Sequence, residues 1–366
     1  MEDYGNRLYA VHNNEKSASS SVNHPPRSPD IFSPEFLRQQ QDFERFWLFM
    51  LKGGLDKPTR DGIGRTSARY ILQQVGPSVF ADGRIPLDER DRPTVKNLQK
   101  KGYSAVPNVF SDAEIEEIKA YFQTIPASIS GGHTEGHVLL KDVPPEAGFA
   151  HFHGKDVCGC PPIYRVLHDE RLISLASAYL GAPATIGITT VWWSYPAPGG
   201  AEGMQMFHHD RGDFRSCNLF VYLTDVTAGT GPHAFVERTH DMEVLLPLMS
   251  QRLGATPEMF HKFWRWMEQH RKTDEEVRHF FPENEVLFFS GPQGTSFFED
   301  TRGLHKGTRP QTGPRFAFEI FYSVLPKLNE EVAPRRRADL KLPAGLETDT
   351  SKLSPLVRYA TRQYLV

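Results

Sequence analysis

Apolar positions recur at three- and four-residue spacing up to residue 181, and after it they alternate or run together in short blocks. EFLRQQQDFERFWLFMLKG, from Pro34, sets Phe36, Phe43, Trp47, Met50 and Leu51 near one side of a helix. The stretch up to about Lys101 has a mixed pattern, and ERDRPTVKN within it is expected to be exposed. Residues 103–110 predict a short strand. Ser111 with Glu114 forms a capping box that opens a helix whose apolar face is Ile115, Ile118, Tyr121 and Phe122. A Gly- and His-rich loop, ISGGHTEGHVLL, follows, and then a helix, ERLISLASAYLG, with Gly181 as its stop.

Beyond Gly181, ATIGITTVWWSYP, SCNLFVYLTDV, HAFVERTH, NEVLFFSG, GTSFFED and RFAFEIFYSV are strand candidates bounded by turn residues. Residues 241 to about 280 are helical in pattern, an insertion between strands. Many short strands predict an antiparallel barrel or sandwich, mainly β with added helices. Residues 1–32 are polar and rich in Ser, Asn and Pro, which predicts a flexible arm. One domain is expected over 33–328, with its strand core at about 181–325. A charged extension at 329–366 ends in a short helix near 356–364.

Composition narrows the function classes. The net charge of -3, from 42 basic and 45 acidic residues, gives no reason to expect a nucleic-acid partner, and RRR at 335–337 reads as a solvated run. Three cysteines, Cys158, Cys160 and Cys217, do not make a disulfide scaffold; free thiols in a reducing compartment are expected. The N-terminus lacks the basic and apolar regions of a signal peptide, and no window approaches a membrane span. The expected location is the cytoplasm, for a monomer or homodimer acting on a small molecule.

Candidate chemistry concentrates in MQMFHHDRGD, 204–213. At a strand end, His208-x-Asp210 places an imidazole and a carboxylate on one face. With one more histidine, this is the facial set that holds non-haem Fe(II) with positions left open. His305, in TRGLHKG, is the candidate third ligand. Ten positions further on, Arg315 opens the strand RFAFEIFYS and shares a face with Ala317 and Glu319. An inward arginine there needs an anionic partner, which a dicarboxylate would supply through a bidentate pair; the other reading is an exposed strand-end arginine.

The HHD stretch, TAGTGPHAFVERTH and TRGLHKG with its following arginine resemble the phytanoyl-CoA dioxygenase-like family of Fe(II)/2-oxoglutarate oxygenases, over roughly residues 100–325. The resemblance implies a double-stranded β-helix, or jelly roll, with N-terminal helices outside it. It implies iron ligands at His208, Asp210 and His305, a contact of Arg315 with the far carboxylate of 2-oxoglutarate, and dioxygen as co-substrate. Tyr222 matches an aromatic position along the co-substrate pocket. His209 stands where the family often has Gln. Gly307 stands where a hydroxyl is frequent, which leaves Thr308 as the nearby hydroxyl. With Asp210 retained, the related halogenases are excluded.

His209 is expected to point away from the metal, in a supporting or substrate-contacting part. Arg211 is a substrate-side candidate, and Asp213 with Arg215 reads as a surface pair. Of Trp192 and Trp193, one enters the barrel and the other packs outside, and Trp193 is retained as a substrate candidate. Gln205 and Tyr195 are further pocket candidates. His133, His137, His151 and His153 lack an acidic partner at metal spacing and are expected to be structural or solvent-facing. The expected activity is hydroxylation of an unactivated C–H bond in a metabolite or natural-product intermediate. Desaturation, cyclisation or epimerisation at the same site, a metal-dependent isomerase, and a non-catalytic binding barrel are the alternatives.

Overall fold

The structure, a computed structural model, describes residues 55–130, 136–254, 256–325 and 350–362. The polar arm, the helix expected from Pro34, His133 and the arginine run at 335–337 lie outside the described residues.

The strands in chain order are β1 (Tyr103–Ala105), β2 (Ala127–Ser130), β3 (Gly136–Val138), β4 (Phe149–His153), β5 (Thr185–Ser194), β6 (Ser216–Tyr222), β7 (His233–Val236), β8 (Val286–Phe289), β9 (Ser296–Glu299), β10 (His305–Gly307) and β11 (Arg315–Ser323). The helices are α1 (Lys57–Val79), α2 (Arg92–Lys101), α3 (Asp112–Gln123), α4 (Lys155–Cys158), α5 (Pro161–Leu167), α6 (Glu170–Leu180), α7 (Met242–Leu253), α8 (Pro257–Met267), α9 (Asp274–Phe280) and α10 (Pro355–Ala360). None of these is long and apolar enough to cross a membrane.

An eight-stranded sheet runs β1-β9-β6-β11-β5-β4-β2-β3, and a three-stranded sheet runs β10-β7-β8. From β5 onward the chain alternates between them. It leaves the large sheet at β5 and touches the small one where His208 bridges His305, then returns as β6. It then crosses to β7 and β8, back to β9, over to β10 and home to β11. This is the winding of a jelly roll, or double-stranded β-helix. The two sheets face each other but do not close into the expected barrel. Added strands occupy both flanks of the large sheet, β1 on one side and β4-β2-β3 on the other.

Alternation divides the large sheet into two chemically different faces. Its outer face, with Leu219, Val221, Phe316, Phe318 and Ile320, packs on α3 and α6 in the main apolar core. Between the sheets lies a much smaller cluster of Phe220, Tyr222, Val226, Phe297 and Ala317, joined by Trp192 and Phe289. A third cluster packs α7–α9 over Phe207, Ala234, Val236 and Leu304. Those three helices separate β7 from β8 in the chain.

Local signals explain several boundaries. Ser111 and Glu114 form the reciprocal capping box of α3, and α6 ends at Gly181 with φ 75°. Two elements differ from the sequence reading. The mixed region is largely the 23-residue helix α1, whose buried side is Lys57, Arg60, Asp61 and Gly64 in its first half and the apolar Ala68, Ile71, Val75 and Val79 in its second. The loop ISGGHTEGHVLL contributes β2 and β3 to the sheet edge.

Candidate metal centre

His208 and His305 are hydrogen-bonded cross-strand partners. Each backbone N–H donates to the other's carbonyl at 2.9 Å. That pairing puts both side chains on one face, with ring centroids 4.2 Å apart. Asp210 is fixed by its own N–H, which donates to Thr301 O at 2.8 Å. His208 Nε2 lies 3.8 Å from one Asp210 carboxylate oxygen, and His305 Nε2 lies 3.9 Å from the other. One donor atom from each residue falls within 4.8 Å of the others, close enough to share an ion.

The donor set fits a divalent first-row metal. His208 Nδ1 donates to Met206 O at 2.8 Å and His305 Nδ1 to Gly303 O at 3.0 Å. A carbonyl only accepts, so each Nδ1 carries the hydrogen and each Nε2 lone pair is left for a metal. Burial, and then the neighbouring His305, push the His208 pKa down to about 3, so its ring is neutral at physiological pH. Two imidazoles and one carboxylate are the facial ligands of non-haem iron.

Arg315 lies in the same inter-sheet space. It is 3 % exposed, and no carboxylate pairs with it among the described residues. Its guanidinium donates to Gly231 O and, at 3.4 Å, to Ser194 Oγ, while Nε has no partner. Burial lowers its pKa. Gly307, two residues after His305, lies against it: a Cβ there would be 3.2 Å from Nη2. Gly307 therefore makes room for the arginine. Thr308 Oγ1 is buried without a hydrogen-bond partner among the described residues, so no hydrogen bond joins it to Arg315.

Tyr222 lines this space, but its hydroxyl is committed to backbone, donating to Phe289 O at 2.9 Å and accepting from His233 N at 3.0 Å. Burial pushes its pKa up to about 12.

Other sequence candidates are placed differently. Trp193 stacks on Phe316 at 4.5 Å on the outer face, with Tyr195 beside it; Trp192, opposite Ala317, is the inward one. Strand alternation makes only one of the two available, and the register selects Trp192. Arg211 is tethered: Nε donates to His209 Nε2 at 3.1 Å, and Nη2 reaches Glu268 at the end of α8 at 3.0 Å. His209 is buried, held by that bond, with burial keeping its pKa well below the usual range. Arg215 does not pair with Asp213; it caps α6 at Leu180 O (2.6 Å) and Tyr179 O (2.9 Å). Gln205 is buried and reaches the backbone of Glu202. His137 is exposed, and His151 stacks on Phe149. The three cysteines are buried.

Four inward polar residues were not singled out in the sequence. Asn218 donates to Glu319 and accepts from Thr301 Oγ1 at 3.2 Å, which links Glu319 to the strand end that holds Asp210. Burial, and then the Asp210 charge, push the Glu319 pKa up to about 8. His233 and Glu299 pair across the two sheets at 3.0 Å. Their only sequence signal is a titratable residue at an inward position of a short apolar strand, HAFV and SFFE.

No family model and no curated protein matches the chain. Among solved structures it is similar to the non-heme alpha ketoglutarate dependent epimerase SnoN from nogalamycin biosynthesis. That match has 17% identity and a TM-score of 0.44, covering 64% of this chain and 83% of that one. HygX from Streptomyces hygroscopicus with nickel and 2-oxoglutarate bound matches at 14% identity and TM-score 0.43, covering 67% and 90%. EctD from S. alaskensis with bound Fe matches at 17% and 0.42, covering 66% and 80%. A likeness of that degree assigns no reaction, and what this chain does must be read from its own side chains.

Proposed function

We propose that the protein is an Fe(II)- and 2-oxoglutarate-dependent oxygenase that hydroxylates an unactivated C–H bond of a small molecule. The observation that carries this reading is a buried arginine that no carboxylate pairs with among the described residues, in the same inter-sheet space as a His–Asp–His ligand set. A metal site alone fits many enzymes; the unmatched Arg315 adds a reason for a dicarboxylate.

His208, Asp210 and His305 would hold the metal. Fe(II) with a chelated 2-oxo acid would supply activation of dioxygen, coupling decarboxylation to succinate and CO₂ with transfer of one oxygen atom into substrate. The protein's part is placement and charge. Arg315 neutralises the far carboxylate of the co-substrate in a dry pocket, where a guanidinium–carboxylate pair is strong. The backbone bridge between His208 and His305 fixes the two imidazoles relative to each other, so little reorganisation accompanies metal binding. Arg211 and Glu268 tie the metal-bearing loop to the helices α7–α9, which cover the small sheet and keep solvent from that side.

The test is anaerobic titration with Fe(II) and 2-oxoglutarate. A weak visible charge-transfer band that needs both components is expected in the wild type, and His305→Ala should lose it. A wild type that gives no band, or a His305→Ala variant that keeps the full band, overturns the reading. Succinate release against a panel of small molecules, with product analysis, then separates hydroxylation from desaturation, cyclisation and epimerisation.

A further inference from the structure

The His233–Glu299 couple is used neither by the ligand set nor by Arg315, yet it sits between them. His233 opens β7 and Glu299 closes β9, so the pair spans the two sheets, with Nε2 and Oε1 3.0 Å apart. Glu299 has no solvent exposure, and its Oε2 has no partner. As a structural device this is a poor one: a buried carboxyl–imidazole pair costs desolvation that an apolar pair of the same shape avoids. The rings of Phe220, Phe289 and Phe297 lie against His233 at 4.9 to 6.1 Å.

The imidazole is held rigidly. Its backbone N–H donates to the Tyr222 hydroxyl, and its ring lies parallel to that of His305, 5.5 Å away at 16°. Glu299 occupies Nε2, so Nδ1 is the one polar atom of a ring 8 % exposed that has no partner among the described residues. The charged side chains that act on it are Arg315 and Asp210, the two ends of the proposed co-substrate site.

The fold aims this ring at the co-substrate space. His233 pairs across the small sheet with Gly307, which lies against the Arg315 guanidinium, and its ring stacks on that of His305. In the tautomer whose Nε2 accepts from the Glu299 carboxyl, Nδ1 carries the ring hydrogen.

We infer that His233, oriented by Glu299, is a further contact of the 2-oxo diacid, donating from Nδ1 to the anion held between the metal ligands and Arg315. This rests on the proposed oxygenase reading. His233 is then a binding residue for the co-substrate, and Glu299 is a positioning residue that acts through it.

The test measures binding without turnover. Fe(II)-loaded protein is titrated anaerobically with 2-oxoglutarate, following the charge-transfer band, in the wild type, in His233→Phe and in the double variant His233→Phe/Glu299→Leu. The double variant leaves no orphaned carboxyl, so it keeps the comparison sound if the single variant folds poorly. Loss of one hydrogen bond to a charged group should weaken 2-oxoglutarate binding about tenfold in both variants. The band maximum should move, while Fe(II) affinity, read by chelator competition, stays within about threefold of the wild type. Affinity for 2-oxoglutarate within about twofold of the wild type in the double variant overturns the inference. Parallel loss of iron and co-substrate binding also overturns it, since that is the mark of a merely structural pair. Absence of the band in the wild type is a different outcome, and it removes the oxygenase reading together with this one.

Discussion

A guanidinium buried without a carboxylate is a standing cost to the fold, and Arg315 carries that cost in the ligand-free protein. If its purpose is to receive a dicarboxylate, removing its charge should spare stability and abolish binding. Arg315→Met is therefore expected to melt no lower than the wild type without ligand, while its affinity for 2-oxoglutarate falls about 100-fold, the worth of two charge-assisted hydrogen bonds. Thermal melts and the charge-transfer titration check the two halves. A variant destabilised by about 3 kcal/mol with 2-oxoglutarate binding intact would make Arg315 a structural residue. At this scale the sequence was informative where spacing alone fixes geometry. His208 and Asp210 are two apart at a strand end, and Arg315 opens a strand whose alternation is plain. It was silent where partners are distant in the chain. Glu268 captures Arg211 from 57 residues away, and Glu299 captures His233 from 66. Trp192 and Trp193 differ only in which face the register gives them.

The strands β5, β6, β9 and β11 were legible because a sheet with one face on a large apolar core repeats with period two or runs continuously apolar. Helix α1 was not, because the buried side of its first half is made of charge and glycine, and the apolar positions Ala68, Ile71, Val75 and Val79 begin only after it. Asp61 accepts from Met242 N at 2.8 Å, Lys57 donates to His240 O at 2.6 Å, and Gly64 faces the loop that follows the metal ligands. That first half has no hydrophobic period to detect. Gly64 also decides how closely α1 can approach that loop, since a Cβ there would stand 2.5 Å from Phe214 O. Alanine is the better helix former by about 1 kcal/mol, so propensity alone argues that Gly64→Ala stabilises. The contact argues the reverse and is the larger effect: Gly64→Ala should lose about 2 kcal/mol by denaturant titration, because helix or loop must move. A loss of metal affinity should accompany it, as the displaced backbone is four residues from Asp210. A variant more stable than the wild type would show that α1 is not seated as described. Strands β2 and β3 were missed for a related reason. They sit at the sheet edge, where Ser, His and Gly are half-buried or exposed and alternation is faint.

Across the whole molecule, most of the apolar core lies outside the jelly roll: one cluster behind the large sheet, another between the small sheet and α7–α9, and only a small one between the sheets. Stability is built on the outside, and the space between the sheets is left for polar chemistry. The two must still be joined, and a chain of buried charges joins them. Arg302 binds Asp300 through two nitrogens and Asp61 of α1 at 3.2 Å, while the Tyr179 hydroxyl at the end of α6 donates to Asp300. His305 follows five residues after Asp300, so this junction sets the path of the chain into the metal centre. Burial alone would raise the Asp300 carboxyl; the Arg302 guanidinium overrides it and holds it at about 2 against the ordinary 3.8. A folded-state value below the unfolded one stabilises above pH 3.8, and the benefit is lost as pH falls from there through about 2. Asp300→Asn leaves Arg302 buried with less to balance it, so a loss of about 3 kcal/mol at pH 7 is expected in denaturant titration. The gap from the wild type should narrow once the pH drops below 4, as the wild-type carboxyl gains its proton. Adding Arg302→Met to Asp300→Asn should recover much of that loss, because an apolar replacement removes the stranded charge. Iron affinity should not recover with it, since the path into His305 is no longer fixed by the ion pair. If the double variant regains both stability and iron affinity, the charge chain is dispensable to the site. If Asp300→Asn costs less than about 0.5 kcal/mol, the level of an exposed ion pair, it does not join the two halves of the fold at all.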